Sequence, residues 1–259
     1  MPLRKQKGGK FRSTTLTIGC NTEANTESQQ KGDGVRVTMI IDPSDEISGP
    51  QITRIKSTVK DEIVALDIGS IIILTKIEDL YSDPKSGAIP HERERPRHPD
   101  DEPCDSTKMI CDKDILKRDY NKFEEPLTKN LDSLLKSLEM ERSPILEFLG
   151  AFENEICTPS CDQLWIVSDM LQHSPLTSLY ESIPNFHDLE PKIRRQWGLL
   201  PKEIRDVTIW QPNRCPSEGG IQQEDERFMT FWNDYFTHGA DRNITWEDIP
   251  IGRGCPEDI

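Results

Sequence analysis

Nowhere does an apolar run approach the roughly 18 residues that a transmembrane helix requires; VTMII and SIIIL are typical of the short stretches present. The expectation is a soluble chain, or one anchored only at its start. Surplus positive charge is also lacking. The chain carries 32 Lys+Arg against 46 Asp+Glu, a formal charge of −14, whereas general affinity for phosphate backbones needs an excess of cations. Direct nucleic-acid binding is therefore not expected. Three signatures are missing: G-x-x-x-x-G-K-[ST], G-x-G-x-x-G after a strand, and G-x-S-x-G. Their absence removes the usual phosphate cradles and the nucleophile elbow. None of the seven cysteines forms a C-x2-C pair, so zinc-ribbon and dithiol redox readings have no support. No repeat with a period of 20–50 residues is visible.

What is present is a set of short buried strands. Val35–Ile41, bounded by Gly34 and Pro43 and rich in β-branched residues, reads as a strand buried on both faces of a mostly parallel sheet. Ligands of such sheets collect beyond the carboxyl ends of the strands, where Asp42, Ser44, Asp45 and Glu46 follow. Ser48 and Gln51 make an S-x-x-Q capping box with Pro50 in the first turn. Ile52, Ile55, Val59, Ile63 and Leu66 then form one apolar helical stripe ending near Gly69, and Ser70–Ile77 is a second strand. Strand, helix and strand make a βαβ unit with a parallel pair.

Residues 83–114 are charged and punctuated by proline, and read as a surface-loop insertion. They contain His91, His98, Cys104 and Cys111, but the gaps of six, five and six residues match no common zinc site. Phe123, Leu127, Leu131, Leu134 and Leu138 mark a helix from Lys122. Ser143-Pro144 starts another, with Ile145, Phe148, Leu149, Phe152 and Ile156 as its stripe. Cys157 and Cys161 bracket a turn, as a small disulfide loop or as two thiols. Leu164–Val167 is a third core strand, ending in Ser168-Asp169. Residues 176–204 read as largely helical, with the cations Lys192, Arg194 and Arg195 on a solvated face. Asp206–Trp210 is a fourth strand, Glu224–His238 an aromatic helix closed by Gly239, and Asn243–Trp246 an edge strand. The sequon at Asn243 is too short a match to carry weight.

Residues 1–34 are polar and dotted with glycine, and read as a disordered or tether segment ahead of one domain at 35–259. Their basic start, then Cys20, then a polar stretch, imitate a lipoprotein signal. The intervening Ser13–Gly19 has only Leu16 and Ile18 as large apolar residues, short of a secretory core. A cytoplasmic protein is expected. The alternative is an exported lipoprotein anchored at Cys20, which would leave an even number of cysteines for disulfides.

Asp42 and Ser44 after the first strand, Ser143 before a helix and Asp169 after the third strand stand in the order of a known constellation. The arrangement resembles the metal-ion-dependent adhesion site of von Willebrand factor A domains, in which a D-x-S-x-S loop, a threonine and a later aspartate converge on Mg²⁺. The resemblance covers roughly Val35 to Trp246. It places Ser143 at the threonine position, SDM (168–170) at the usual T-D-G, and Glu46 at the second serine. It implies an α/β, Rossmann-like, doubly wound sheet with helices on both faces. It also implies a site for Mg²⁺ or another divalent cation built from Asp42, Ser44, Glu46, Ser143 and Asp169.

Mg²⁺ takes about six hard oxygen ligands and keeps several waters, which suits hydroxyls and water-bridged carboxylates. Glu46 would exchange a neutral ligand for a charged one, tightening the cation but weakening its pull on a partner's carboxylate. Taken singly, Ser143 is explained as an N-cap and the aspartates as turn and cap residues. His173, four residues after Asp169, is the histidine nearest this edge in sequence.

Two functions follow. The first is a non-enzymatic interaction module that docks a partner protein at this edge; by family analogy, it would serve assembly or surveillance in bacteria. The second is a Mg²⁺-dependent hydrolase acting on phosphoryl groups, with Asp42, Asp45, Glu46 and Asp169 as a carboxylate cage. The expected strand order is 3-2-1-4-5 or a close variant, with Val35–Ile41 central.

Overall fold

A computed structural model describes residues 34–42, 44, 46–77, 91–99, 113–137, 142–155, 161–218 and 220–251. Most of the tether read at 1–34, with Cys20, therefore lies outside the described residues. So do Asp45, Cys104, Cys111, Leu138, Ile156 and Cys157.

The first strand, β1 (Arg36–Ile41), leads through Asp42 to helix α1 (Gly49–Ala65), then to β2 (Ile71–Lys76) and a four-residue strand β3 (His91–Glu94). Helices α2 (Lys113–Leu135) and α3 (Ile145–Glu155) precede β4 (Gln163–Val167), and α4 (Phe186–Gln196) precedes β5 (Asp206–Pro212). A 3-10 turn (Pro216–Glu218), a short helix α5 (Gly220–Gln223), helix α6 (Glu226–Thr237) and β6 (Asn243–Ile249) complete the order. The six strands form one sheet in the order β3-β2-β1-β4-β5-β6. Every pairing is parallel except β2 with β3.

The apolar runs are explained by the two layers they serve. Val37, Met39 and Ile41 of β1 join Trp165 and Val167 of β4 in packing under α1 and α2. Ile40, Leu164, Ile166, Val207 and Ile209 face the other way, against α3, α4 and α6. A strand covered on both faces has no reason to alternate. The fold is thus an α/β, Rossmann-like, doubly wound sheet.

Burial is completed by two arginines that serve backbone carbonyls. Arg95, 1% exposed, donates Nε to Ile63 O (2.9 Å) and Nη2 to Val64 O (2.7 Å), supplying a cation where the α1 carbonyls run out. Arg242 does the same for Ile204, Leu200, Pro201 and Phe236.

Several elements differ from the sequence reading. Within 83–114, His91–Glu94 is a strand, antiparallel on the free edge of β2; its residues carry no apolar pattern because an edge strand is held by backbone pairing. Helix α2 begins nine residues before Lys122, and Pro126 lies inside it. Of 176–204 only Phe186–Gln196 is α-helical; Pro184 and Asn185, whose side chain accepts from His187 N (2.9 Å), set its start. The edge strand at 243 runs on to Ile249, parallel to β5.

Candidate functional site

Strand order decides where a site can lie. From β1 the chain crosses outward to β2, and from β4 it crosses the other way to β5, so the crossovers diverge between β1 and β4. A crevice opens at such a switch point, outside the carboxyl ends of the two strands. The residues immediately beyond those ends are Asp42 and the pair Ser168-Asp169. The ladder itself reaches the crevice, since Asp42 N donates to Val167 O at 2.9 Å.

Asp42 is buried and collects donors from three segments. Ser143 Oγ donates to its Oδ2 at 2.5 Å, Ser168 Oγ to the same oxygen at 2.9 Å, and Ser44 N to Oδ1 at 3.1 Å. Burial holds the Asp42 pKa above the ordinary carboxylate range, against these hydrogen bonds, which favour the charged form. The Ser44 hydroxyl lies near enough to favour that charge as well. Yet its Oγ is buried and makes no hydrogen bond of good geometry.

The sequence offers Ser143 as an N-cap, but its hydroxyl serves Asp42. Its backbone forms a two-way bridge with His173, N to O at 2.9 Å in both directions. The N-terminus of α3 is capped from elsewhere: Leu146 N donates to Gln172 Oε1 at 2.8 Å. Gln172 Nε2 in turn donates to the fully buried Glu147 (2.8 Å), which also accepts from Ser174. His173 is thereby part of the scaffold behind Ser143, with Nδ1 3.1 Å from Ser178 Oγ.

Asp169 is engaged through both oxygens. Oδ1 accepts from Leu171 N at 3.0 Å, and Oδ2 from Arg214 Nε at 2.9 Å. The same guanidinium donates through Nη1 to Glu46 O at 2.5 Å. Arg214 therefore spans from the loop after β4 to the loop after β1. Glu46 itself is an exposed residue, and its described contact is this backbone carbonyl.

Between Asp169 and Leu171, Met170 has φ +60, the left-handed conformation that favours glycine. It is the position that carries glycine in the T-D-G pattern. Three bonds hold it there: Met170 N to Ser168 Oγ (2.8 Å), Leu171 N to Asp169 Oδ1, and Trp232 Nε1 to Met170 O (3.0 Å). Strain that persists because its surroundings over-determine it is common where loops must present side chains.

The structure thus brings Asp42, Ser44 and Ser143 together, and ties Asp169 to the Glu46 backbone through Arg214. Sequence reasoning missed Arg214, Gln172 and the bridging role of Ser168. The available signal for Arg214 was its place in the loop after β5, at the same carboxyl edge.

The donor set fits a divalent cation only in part. Asp42, Ser143 and the unsatisfied Ser44 Oγ are hard oxygens of the kind Mg²⁺ takes. Asp169, the ligand expected from the opposite strand, is neutralised by a guanidinium instead. Among the described residues, no three of His, Cys, Asp and Glu come together so as to hold a metal. Asp45, a member of the carboxylate cage of the hydrolase reading, is outside the described residues.

A groove of about 1060 Å³ lies elsewhere, between α1 and α2. Of its four lysines, Lys56 and Lys136 pair with Asp132 and Lys60 with Glu124, and with Glu125 also on the lining beside Lys129 it offers little net charge to a phosphate.

No family model matches the chain, and no curated protein matches it. Among solved structures it is similar to a conserved hypothetical protein, BatB, from Bacteroides thetaiotaomicron. The likeness spans 83% of this chain and 91% of that one, at 10% identity and a TM-score of 0.38.

Proposed function

We propose that the chain is a non-enzymatic interaction module of the von Willebrand A type, docking a partner protein at the carboxyl edge of its sheet. The observation that carries this reading is the convergence of Ser143, Ser168 and Ser44 on the buried Asp42 at the β1–β4 switch point. Its ordering of hydroxyls around a strand-end aspartate is what the D-x-S, Thr and Asp pattern is built to achieve. Among the described residues no three of His, Cys, Asp and Glu come together so as to hold a metal, so the carboxylate cage of the hydrolase reading has less support than docking. Mg²⁺ is the proposed divalent cation for the Asp42, Ser44 and Ser143 oxygens, with Asp169 as the ligand in question. These residues would supply two hydroxyls and a carboxylate when the cation is bound; without metal, the same edge docks the partner through its own side chains.

The test is capture of a partner by wild type and by Asp42→Ala, with binding partners identified by mass spectrometry and both proteins matched for folding by circular dichroism. A partner retained by wild type and lost by Asp42→Ala supports docking at this edge. Equal capture by both moves the docking surface elsewhere. Metal-dependent turnover in a phosphatase and nuclease screen, abolished by Asp42→Asn and Asp169→Asn, would replace this reading with the hydrolase.

A further inference from the structure

We propose that Arg214 is the resident cation of the sheet edge, joining the two strand-end loops where a divalent ion would bridge them, so that a metal enters only by displacing it. The proposal rests on the docking reading for its biological meaning and on the geometry alone for its chemistry.

The guanidinium makes the connection a bridging ion makes. On one side Nε binds the Asp169 carboxylate at 2.9 Å, and on the other Nη1 binds the Glu46 carbonyl at 2.5 Å, within the loop that also carries Asp42 and Ser44. A planar, permanently charged fork suits a carboxylate and a carbonyl at once, which an ammonium on a flexible stem does not. The other Asp169 oxygen accepts from Leu171 N at 3.0 Å, so the carboxylate is held facing the guanidinium.

Arg214 is also built into position. Its side chain is 10% exposed against 1% for Asp169, so the pair is shielded from water and interacts more strongly than a surface pair. Its backbone N donates to Gln223 Oε1 at 2.8 Å, and Gln223 Nε2 reaches back to Asp169 O at 3.1 Å and Pro212 O at 3.2 Å. One amide therefore ties the arginine loop to the backbone of the residue the arginine neutralises. Gly220 closes against the same loop, where a Cβ would fall 2.3 Å from Arg214 O. Cys215, the next residue, is disulfide-bonded. A stray surface arginine has none of these restraints.

Two consequences separate this arrangement from an ordinary metal site. A divalent ion between the loops must approach a fixed positive charge and take Asp169 from it, so the wild-type chain binds such ions weakly. Removing the guanidinium takes the fixed positive charge from beside Asp169, so such ions then bind better at this edge.

The probe is Mn²⁺, followed by electron paramagnetic resonance of the free ion and by melting with Mn²⁺ and Mg²⁺. Arg214→Gln is expected to bind Mn²⁺ about tenfold more tightly than wild type, the scale on which neighbouring groups tune metal affinity, and to melt higher when metal is added. Arg214→Lys keeps the charge without the fork, and is expected to fall between wild type and Arg214→Gln. Gln223→Ala loosens the loop without removing an edge oxygen, and gives a rise in affinity in the same direction. It carries the test if Arg214→Gln does not fold. The proposal is overturned if neither variant binds Mn²⁺ more tightly than wild type, or if wild type already binds it in the micromolar range. Failure to capture any partner removes the docking function without touching the Mn²⁺ result, so the two readings fail separately.

Discussion

The Ser143 hydroxyl donates to Asp42 Oδ2 across 2.5 Å, joining residues 101 positions apart in the chain. This bond fixes the start of α3 to the end of β1, and it is one of two hydroxyl bonds converging on that oxygen. Ser143→Ala leaves a buried carboxylate with one donor fewer, and hydrogen bonds to charged groups are worth about 1.5–3 kcal/mol. A loss of that size in urea denaturation is expected. Ser143→Thr keeps the hydroxyl and adds one methyl at a buried position, so its loss should be about 1 kcal/mol, the low end of the range for an extra group in a core. Equal losses from both variants would show that shape rather than the hydroxyl matters there.

Asp42 also sets a pH dependence. Its pKa is raised from 3.8 by burial, so the native state holds the proton more tightly than the unfolded chain. The stability it contributes is therefore fully present below the ordinary carboxylate range and is lost as pH rises through the higher folded value. Asp42→Asn cannot ionise and escapes that loss. The melting temperature of the variant relative to wild type should improve as pH rises above the ordinary carboxylate range. A difference that is flat, or that moves the other way, would mean the carboxylate is not penalised by its surroundings.

How much of this site was legible depends on what kind of bond forms it. The strands at Val35–Ile41, Ser70–Ile77 and Leu164–Val167 announce themselves because burial on both faces demands unbroken apolar runs, and the Ser48–Gln51 box is a local signal within one turn. Their order was not legible: 3-2-1-4-5 over the strands read from sequence sets Leu164–Val167 beside Ser70–Ile77, whereas it pairs with Arg36–Ile41, and the place beside β2 is taken by His91–Glu94. Arg214 gave no such signal: it stands alone in QPNRCPSEGG, and its partners Asp169 and Glu46 are distant in the chain. Gln172 was silent for the same reason, since it caps a helix 26 residues earlier. The strand His91–Glu94 was illegible because its exposed Glu92, Arg93 and Glu94 owe their place to backbone pairing, which side-chain patterns do not encode.

Met170 sets backbone strain against packing. Glycine at this position relieves a left-handed conformation costing roughly 1–2 kcal/mol. It also deletes a fully buried side chain, and truncating a core methionine costs about 2–5 kcal/mol. The lost packing outweighs the relieved strain, so Met170→Gly should lower stability by about 1–3 kcal/mol. An increase in its urea midpoint would show that backbone strain, not packing, dominates the loop.

Cys161 and Cys215 are both disulfide-bonded. Cys161 begins the approach to β4, with its sulfur 3.2 Å from Thr38 Oγ1, and Cys215 follows Arg214. Native disulfides in secreted domains are typically worth about 2–5 kcal/mol, so the melting temperature should drop on adding a reductant. Thiol labelling after cell fractionation reads the compartment: blocked cysteines in an exported pool favour the lipoprotein alternative, and free thiols confined to the cytosol exclude it.

The two margins of the sheet carry a further consequence. At one margin lies a strand of four residues, three of them exposed charges, with Glu92 paired to Arg36 at 3.1 Å. At the other, Asn243–Ile249 places Glu247 and Asp248 among its seven residues. Charged margins are poor templates for a foreign strand, because an added ladder would bring charges into register. Copies of this chain are therefore expected not to zip sheet to sheet at high concentration. On the proposed docking function, recognition falls to the rim of loops where the strands end.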